Sequence, residues 1–233
     1  MRSYIKIGEQ LHKGTFRRRL TRFSAIVQIY DETVICYLPN PGRLLELLIP
    51  DAEVILNTSE KATRRTRYNI VGVRFRDQFI SLDSHIPNKL VYEALKNGDL
   101  SEFTGYAEIK PEPLYNNVRF DFLLSDAEKQ CLLEVKSCTL VKNGTALFPD
   151  APTKRGAKHM LELAKAKGEG YRACVLFIIQ REDANIFRPN DEVDRKFGNA
   201  LRFAKEHGVE VYAYSSKFMD NKIMLNERIE VSL

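Results

Sequence analysis

The sequence predicts an α/β (α+β) protein, with a small β-barrel of the oligonucleotide-binding type over residues 1–86 and an α/β domain over 87–233. Three observations lead to this. Up to residue 86, apolar residues alternate in short runs between turn signals, which is the periodicity of strands. Beyond it, helix-length stretches with capping signals alternate with strand-like runs. The charge is also lopsided: residues 1–86 hold 14 Lys/Arg against 9 Asp/Glu, whereas residues 87–233 hold 22 of each, so the whole formal excess of +5 lies in the first region.

In that region, residues 23–30 and 33–38 flank Asp31-Glu32 and read as a hairpin. Residues 68–75 and 79–82 flank Arg76-Asp77-Gln78 as a second, with Val71, Val73 and Phe75 alternating onto one face. Between them Pro39-Asn40-Pro41-Gly42 is a strong turn signal, followed by a short helix at 43–48 and a strand at 53–56. About five strands and one short helix fit a small closed barrel.

The second region opens with a helix at 88–97, ended by Gly98. Strands follow at 106–111, 117–124 and 131–137, the last two joined by a turn at Asp126-Ala127-Glu128-Lys129. Thr153 is placed to cap a helix running to about residue 167. A buried strand at 172–180, an amphipathic helix at 193–207 closed by Gly208, and a strand at 209–214 complete the order.

Hydrophobic content of 44% and charged content of 29% are ordinary for a soluble globular chain. No apolar run approaches the ~20 residues that span a bilayer, and no signal-peptide pattern is present, so the expected location is cytoplasmic, with no membrane partner. Cys36, Cys131 and Cys174 sit inside apolar runs and Cys138 ends one, without any Cys-x-x-Cys or Cys/His cluster. That pattern indicates buried thiols and argues against zinc.

Chemistry concentrates at Glu134-Val135-Lys136. About two [Asp/Glu]-x-Lys triplets are expected by chance at average composition, and this chain has four, beginning at Glu108, Glu134, Asp194 and Asp220. Only the triplet at Glu134 lies in a central strand that follows a strand carrying an inward acid, Asp121. Residues i and i+2 of a strand share a face, so Glu134 and Lys136 project together, and in a hairpin Asp121 lies across from them. Two carboxylates with the backbone carbonyl of Val135 form an oxygen-rich set suited to Mg²⁺ or Mn²⁺. Such an ion activates water for phosphodiester hydrolysis, with Lys136 orienting that water or offsetting developing charge. The plainer reading of the same residues is a strand salt bridge worth ~0–1 kcal/mol.

Arg119-Phe120-Asp121-Phe122, Leu133-Glu134-Val135-Lys136-Ser137, the segment Leu147-Phe148-Pro149-Asp150-Ala151-Pro152-Thr153-Lys154-Arg155, and Leu38-Pro39-Asn40-Pro41-Gly42-Arg43 together resemble the sugar fermentation stimulation protein family, over nearly the whole chain. The resemblance implies an OB-like barrel followed by a PD-(D/E)XK restriction-endonuclease-like domain, DNA binding without marked sequence preference, and a link to sugar utilisation. It assigns Asp121, Glu134 and Lys136 to the nuclease-type triad and Glu112 to an acidic position just upstream. Val118 departs from the small polar residue more usual before the Arg.

The basic segments supply the expected nucleic-acid contacts. These are Arg17, Arg18, Arg19 and Arg22, then Arg64, Arg65 and Arg67, and the helix start with Lys154, Arg155 and Lys158, beside His159. Arg43 either contacts phosphate or braces its turn. Tyr68 and Phe79 are candidate base-stacking rings, although each alone is more often core. Asp150 joins the metal shell or fixes its loop. The expected partner is DNA, with RNA left open; the oligomeric state is also left open, a homodimer being allowed. The competing reading is a non-catalytic DNA-binding regulatory factor affecting sugar (maltose-type) metabolism. A third is a structural partner for an acidic protein.

Overall fold

The computed structural model describes residues 2–59 and 66–233. Arg64 and Arg65 of the expected basic cluster lie outside the described residues. Five strands pair in the order Glu32–Tyr37, Ser24–Ile29, Leu11–Thr21, Glu53–Thr58, Tyr68–Phe75, and Tyr37 pairs with Asn69 to close them into a barrel. Both expected hairpins are present. The strand Leu11–Thr21 was not legible as one: its Arg17-Arg18-Arg19 run masks the alternation, and Phe16 is its buried position. The expected helix at 43–48 is instead a single turn, closed where Leu47 and Leu48 donate to the Leu44 carbonyl. Leu44 and Leu47 bury there, plugging the barrel without needing a helix.

The second unit is a 7-stranded sheet in the order Tyr4–Lys6, Lys222–Arg228, Glu210–Met219, Arg172–Ile179, Gln130–Cys138, Phe122–Ser125, Glu108–Pro111. The first strand of the chain therefore does not belong to the barrel: Tyr4 pairs with Met224 at the far edge of this sheet. Gln130–Cys138 and Arg172–Ile179 run parallel through the middle, and their near-continuous apolar character follows from burial on both faces. The span expected as one strand at 117–124 breaks at Phe120-Asp121. Val118–Arg119 forms a small hairpin with Leu114–Tyr115, and pairing in the main sheet restarts at Phe122.

Helices α2 (Lys154–Gly168) and α3 (Asp191–Glu206) cover one face, burying Met160, Leu163, Phe197 and Leu201 against Leu132, Val175 and Phe177. Thr153 caps α2 as expected, its Oγ1 accepting from Gly156 N at 3.0 Å. Asp194 kinks α3 out of helical geometry, and its Oδ1 accepts from Phe197 N. Its Oδ2 accepts from Thr153 N at 2.7 Å, so this member of the Asp-x-Lys set joins the starts of two helices. The opposite face carries α1 (Ile86–Asn97), ended by Gly98 at φ 71°, together with the outer wall of the barrel. Ile55 and Val71 of the barrel share a core with Leu133, Leu176 and Phe218.

Candidate functional site

Asp121 sits at the break between hairpin and sheet. Its Oδ2 accepts from Val135 N at 2.7 Å, filling the place a paired strand would occupy, and its Oδ1 accepts from Asn88 Nδ2 at 2.5 Å. Asn88 comes from α1, so the carboxylate is clamped from two elements distant in sequence. Glu134 and Lys136 share a face one strand over, as their spacing required. Lys136 Nζ and Glu134 Oε1 form an ion pair with only 14% and 3% of the side chains exposed. His159 of α2 donates from Nδ1 to the same Oε1 at 2.6 Å, while Arg155 Nε donates to its Nε2 at 3.2 Å. The guanidinium N–H thus leaves the proton on Nδ1, the tautomer that can bond a carboxylate.

One oxygen of Glu134 is therefore doubly engaged, and the other, Oε2, is buried with no partner among the described residues. Burial, and next the nearby negative charge of Glu134, push the Asp121 carboxyl up to about 6, against smaller opposing effects of the Val135 N–H, Lys136 and Asn88. Burial would raise Glu134 as well, but Lys136 and the His159 bond outweigh it and hold that carboxyl below the usual range. Two neighbouring carboxylates, one carrying an orphaned oxygen, offer part of the oxygen donor set that a divalent cation takes.

His159 reaches the pair as a hydrogen-bond donor, and among the described residues no three acidic, histidine or cysteine side chains gather into a metal-holding group. Glu112 does not provide one. Its side chain is 73% exposed and faces Arg119 at 3.4 Å, because the strand ends at Pro111 and Glu112 takes φ 50°; only its N–H reaches back, to the Asp121 carbonyl. Asp150 is turned away as well. Its Oδ2 accepts from Arg43 N at 2.8 Å, fixing its loop to the Pro41-Gly42 turn of the barrel.

The expected basic contacts separate into kinds. Arg18, Arg22, Arg43, Lys154, Arg155 and Lys158 are exposed, the last three over the first turns of α2. Arg17 pairs with Asp51 at the surface. Arg19 is committed to the protein: its guanidinium donates to the carbonyls of Thr21, Arg22, Asn40, Gly42 and Arg43. Arg67 lies 5.2 Å from the Tyr68 ring, which meets His12 edge-on, and Phe79 packs on Phe218 where barrel and sheet meet. Phe79 is half-buried and its ring is taken up by Phe218 at the edge of the shared core.

Sequence reasoning missed Asn88 and the bond from His159 to Glu134. The spacing of His159 from Lys154 and Arg155 signalled only a basic helix face. Nothing local signals Asn88. Beyond Lys136, Ser137, Cys138 and the stretch from Phe148 to Thr153 line a cleft of 200 Å³ whose other wall is Arg22, Asn40, Pro41 and Gly42 of the barrel. The two families of motif residues, far apart in the chain, face each other across it.

The profile described as Sugar fermentation stimulation protein RE domain matches residues 85–222, and that described as SfsA N-terminal OB domain matches residues 18–82. A sugar fermentation stimulation protein homolog of Clostridium kluyveri is 46% identical over 222 residues, covering 95% of this chain and 96% of its own. One from Caldanaerobacter subterraneus is 45% identical over 227 residues, covering 97% and 99%. The solved structure of Pyrococcus furiosus SfsA in complex with Ca²⁺ matches with a TM-score of 0.90 at 28% identity, over 98% of this chain and all of that one.

Proposed function

Because this chain belongs to the sugar fermentation stimulation protein family, we propose that it binds nucleic acid and hydrolyses phosphodiester bonds in a PD-(D/E)XK-type site. Asp121, Glu134 and the Val135 carbonyl would hold Mg²⁺ or Mn²⁺ there. The observation that carries this reading is the buried, unpartnered Oε2 of Glu134 beside Asp121. An orphaned buried carboxylate oxygen is costly, and structures retain one where a ligand completes it. A relative whose solved structure is a complex with Ca²⁺ supports a divalent-ion site in the family.

When bound, the ion would lower the pKa of a water and polarise the phosphoryl oxygen. The chain's own groups do the rest. Asn88 and the Val135 N–H hold Asp121 in place. His159 and Lys136 share one oxygen of Glu134 and leave the other free. Lys136 presents its ammonium where negative charge grows on the attacked phosphate, inside a largely desolvated wall where that charge counts for more than in water. Exposed Arg22, which lines the cleft, and exposed Arg43, Lys154 and Lys158 supply phosphate contacts.

The test is cleavage of single-stranded, double-stranded and branched DNA, and of RNA, by the purified chain with Mg²⁺ or Mn²⁺. Cleavage that disappears in Asp121→Ala and Glu134→Ala, with nucleic-acid binding retained, is the expected result. No cleavage of any of these, with no Mn²⁺ uptake by calorimetry, would overturn it.

A further inference from the structure

The rings singled out by sequence for base stacking are both half-buried, but the barrel carries an exposed ring, Phe23, on its outside, backed by the half-buried Tyr37. Phe23, in the turn between Leu11–Thr21 and Ser24–Ile29, is 44% exposed and stacks on Tyr37 at 6.5 Å with 22° between the planes. The register sets Tyr37 opposite Ser24, Ile26 opposite Ile35 and Arg18 opposite Ile26. Tyr37, Ile35, Ile26 and Arg18 therefore share the outer face, and Ile35 is 54% exposed on it. An exposed aromatic and apolar strip of this kind, rimmed by arginine, marks a contact surface rather than a solvated wall.

Arg22 joins this strip to the cleft between barrel and sheet. Its guanidinium lies 5.9 Å from the Phe23 ring, its Nε donates to the Pro41 carbonyl at 3.4 Å, and its side chain lines the cleft that continues to Ser137 beside Lys136. On the outer side, Arg22, Pro41, Gly42 and Arg43 border a further depression of 360 Å³. Aromatic face, cation and cleft thus adjoin one another, and the cleft ends at Ser137, the residue after Lys136 in its strand.

We infer that Phe23, backed by Tyr37, is a base-stacking platform for a single nucleic-acid strand, with Arg22 guiding its backbone through the cleft toward Asp121 and Glu134. A ring stacks on the face of an unpaired base, which a duplex keeps hidden, so the path selects single strands or single-stranded ends. The surface charge fits this occupant: Arg18, Arg22 and Arg43 line the path, whereas a folded acidic protein would leave the aromatic strip unused. This inference rests on the nuclease reading only for the direction of the path, and its test separates the two.

Fluorescein-labelled oligodeoxythymidylate and a duplex of equal length are titrated in EDTA against wild type, Phe23→Ala and Arg22→Ala, followed by anisotropy. Both positions are exposed, so these variants should keep the wild-type circular dichroism and Tm. As a third variant, Phe23→Tyr retains a ring and should restore binding. The expected result is about a tenfold loss of single-strand affinity in Phe23→Ala, with duplex affinity unchanged, since stacking is worth roughly 1–3 kcal/mol per base. Arg22→Ala should weaken single-strand binding and flatten its salt dependence by about one ion. Equal single-strand affinity in wild type and Phe23→Ala, or wild-type preference for the duplex, overturns the platform even if the protein cleaves DNA. Ring-dependent binding without any cleavage sustains the platform and removes the nuclease reading instead.

Discussion

At Asp121 burial and the neighbouring Glu134 charge act against the charged form, and the sign of the consequence can be worked out. The folded carboxyl titrates near 6 instead of its ordinary 3.8, so between those values the folded protein keeps a proton that the unfolded chain has released. Stability from this group is lost as pH rises through that window, and the full cost remains above pH 6. Asp121→Asn, which can still accept from Val135 N, should therefore stabilise the metal-free protein by about 1–3 kcal/mol at pH 8 and by almost nothing below pH 4. Urea unfolding in EDTA at the two pH values measures this, and an equal effect at both would contradict it. His159 acts on the other carboxylate. His159→Ala should cost about 1–3 kcal/mol, because a buried bond to a charge is broken. It should also weaken Mn²⁺ binding roughly tenfold or more by calorimetry, as outer partners of ligands do. Unchanged Mn²⁺ affinity would make His159 purely a packing residue. The triad was legible because period-two geometry and a preceding acid are local facts, whereas Asn88 and His159 reach it from helices whose sequence gives no such direction.

Among the elements, the Pro41-Gly42 turn of the barrel and the loop from Phe148 to Thr153 interlock through one carboxylate. Asp150 holds the Arg43 N–H, and Arg19 gathers the carbonyls around the turn. A Cβ on Gly42 would run into Asp150 Oδ2, so glycine here answers to close approach and not to a positive φ. Asp150→Ala leaves a turn N–H unpaired and should cost about 1–3 kcal/mol, and Gly42→Ala should cost a similar amount. Both break the same contact, so the double variant should lose clearly less than the sum, as read from denaturation midpoints. Strict additivity would mean that the turn and loop are held independently. The sequence marked both segments as turns of unusual composition, but each reads alone, and their contact spans more than a hundred residues.

For the whole molecule, the barrel is not tethered beside the sheet but packed onto it. Phe79 meets Phe218, Ile55 and Val71 join the sheet's core, and residues 4–6 extend the sheet's far edge. Gly72 permits the docking, since a Cβ there would stand 2.5 Å from Phe218 Cε1. With a shared core, wild type should unfold in one transition. Gly72→Leu should split it, the barrel's amides exchanging ahead of those of Gln130–Cys138 in hydrogen-exchange mass spectrometry. A single transition at the wild-type temperature in that variant would show that the interface gives way without cost. This docking positions Arg22 and the Pro-Gly turn as the second wall of the cleft, so the proposed function depends on it as much as the stability does.

Two kinds of information meet in this protein. Strand alternation, caps and breakers are written over a few neighbouring residues, and from them the sequence by itself determined the barrel-then-α/β order, most helix ends, the buried thiols and the face shared by Glu134 and Lys136. Where those signals conflict, as in the arginine-rich strand Leu11–Thr21, the local pattern hides the element. Only the tertiary structure decided the rest: the break that seats Asp121, the bonds from Asn88 and His159, the withdrawal of Glu112 and Asp150 from the carboxylate pair, and which aromatic residues face outward. These depend on the distances at which separate elements pack, and packing is a property of the assembled core that no short stretch of chain encodes.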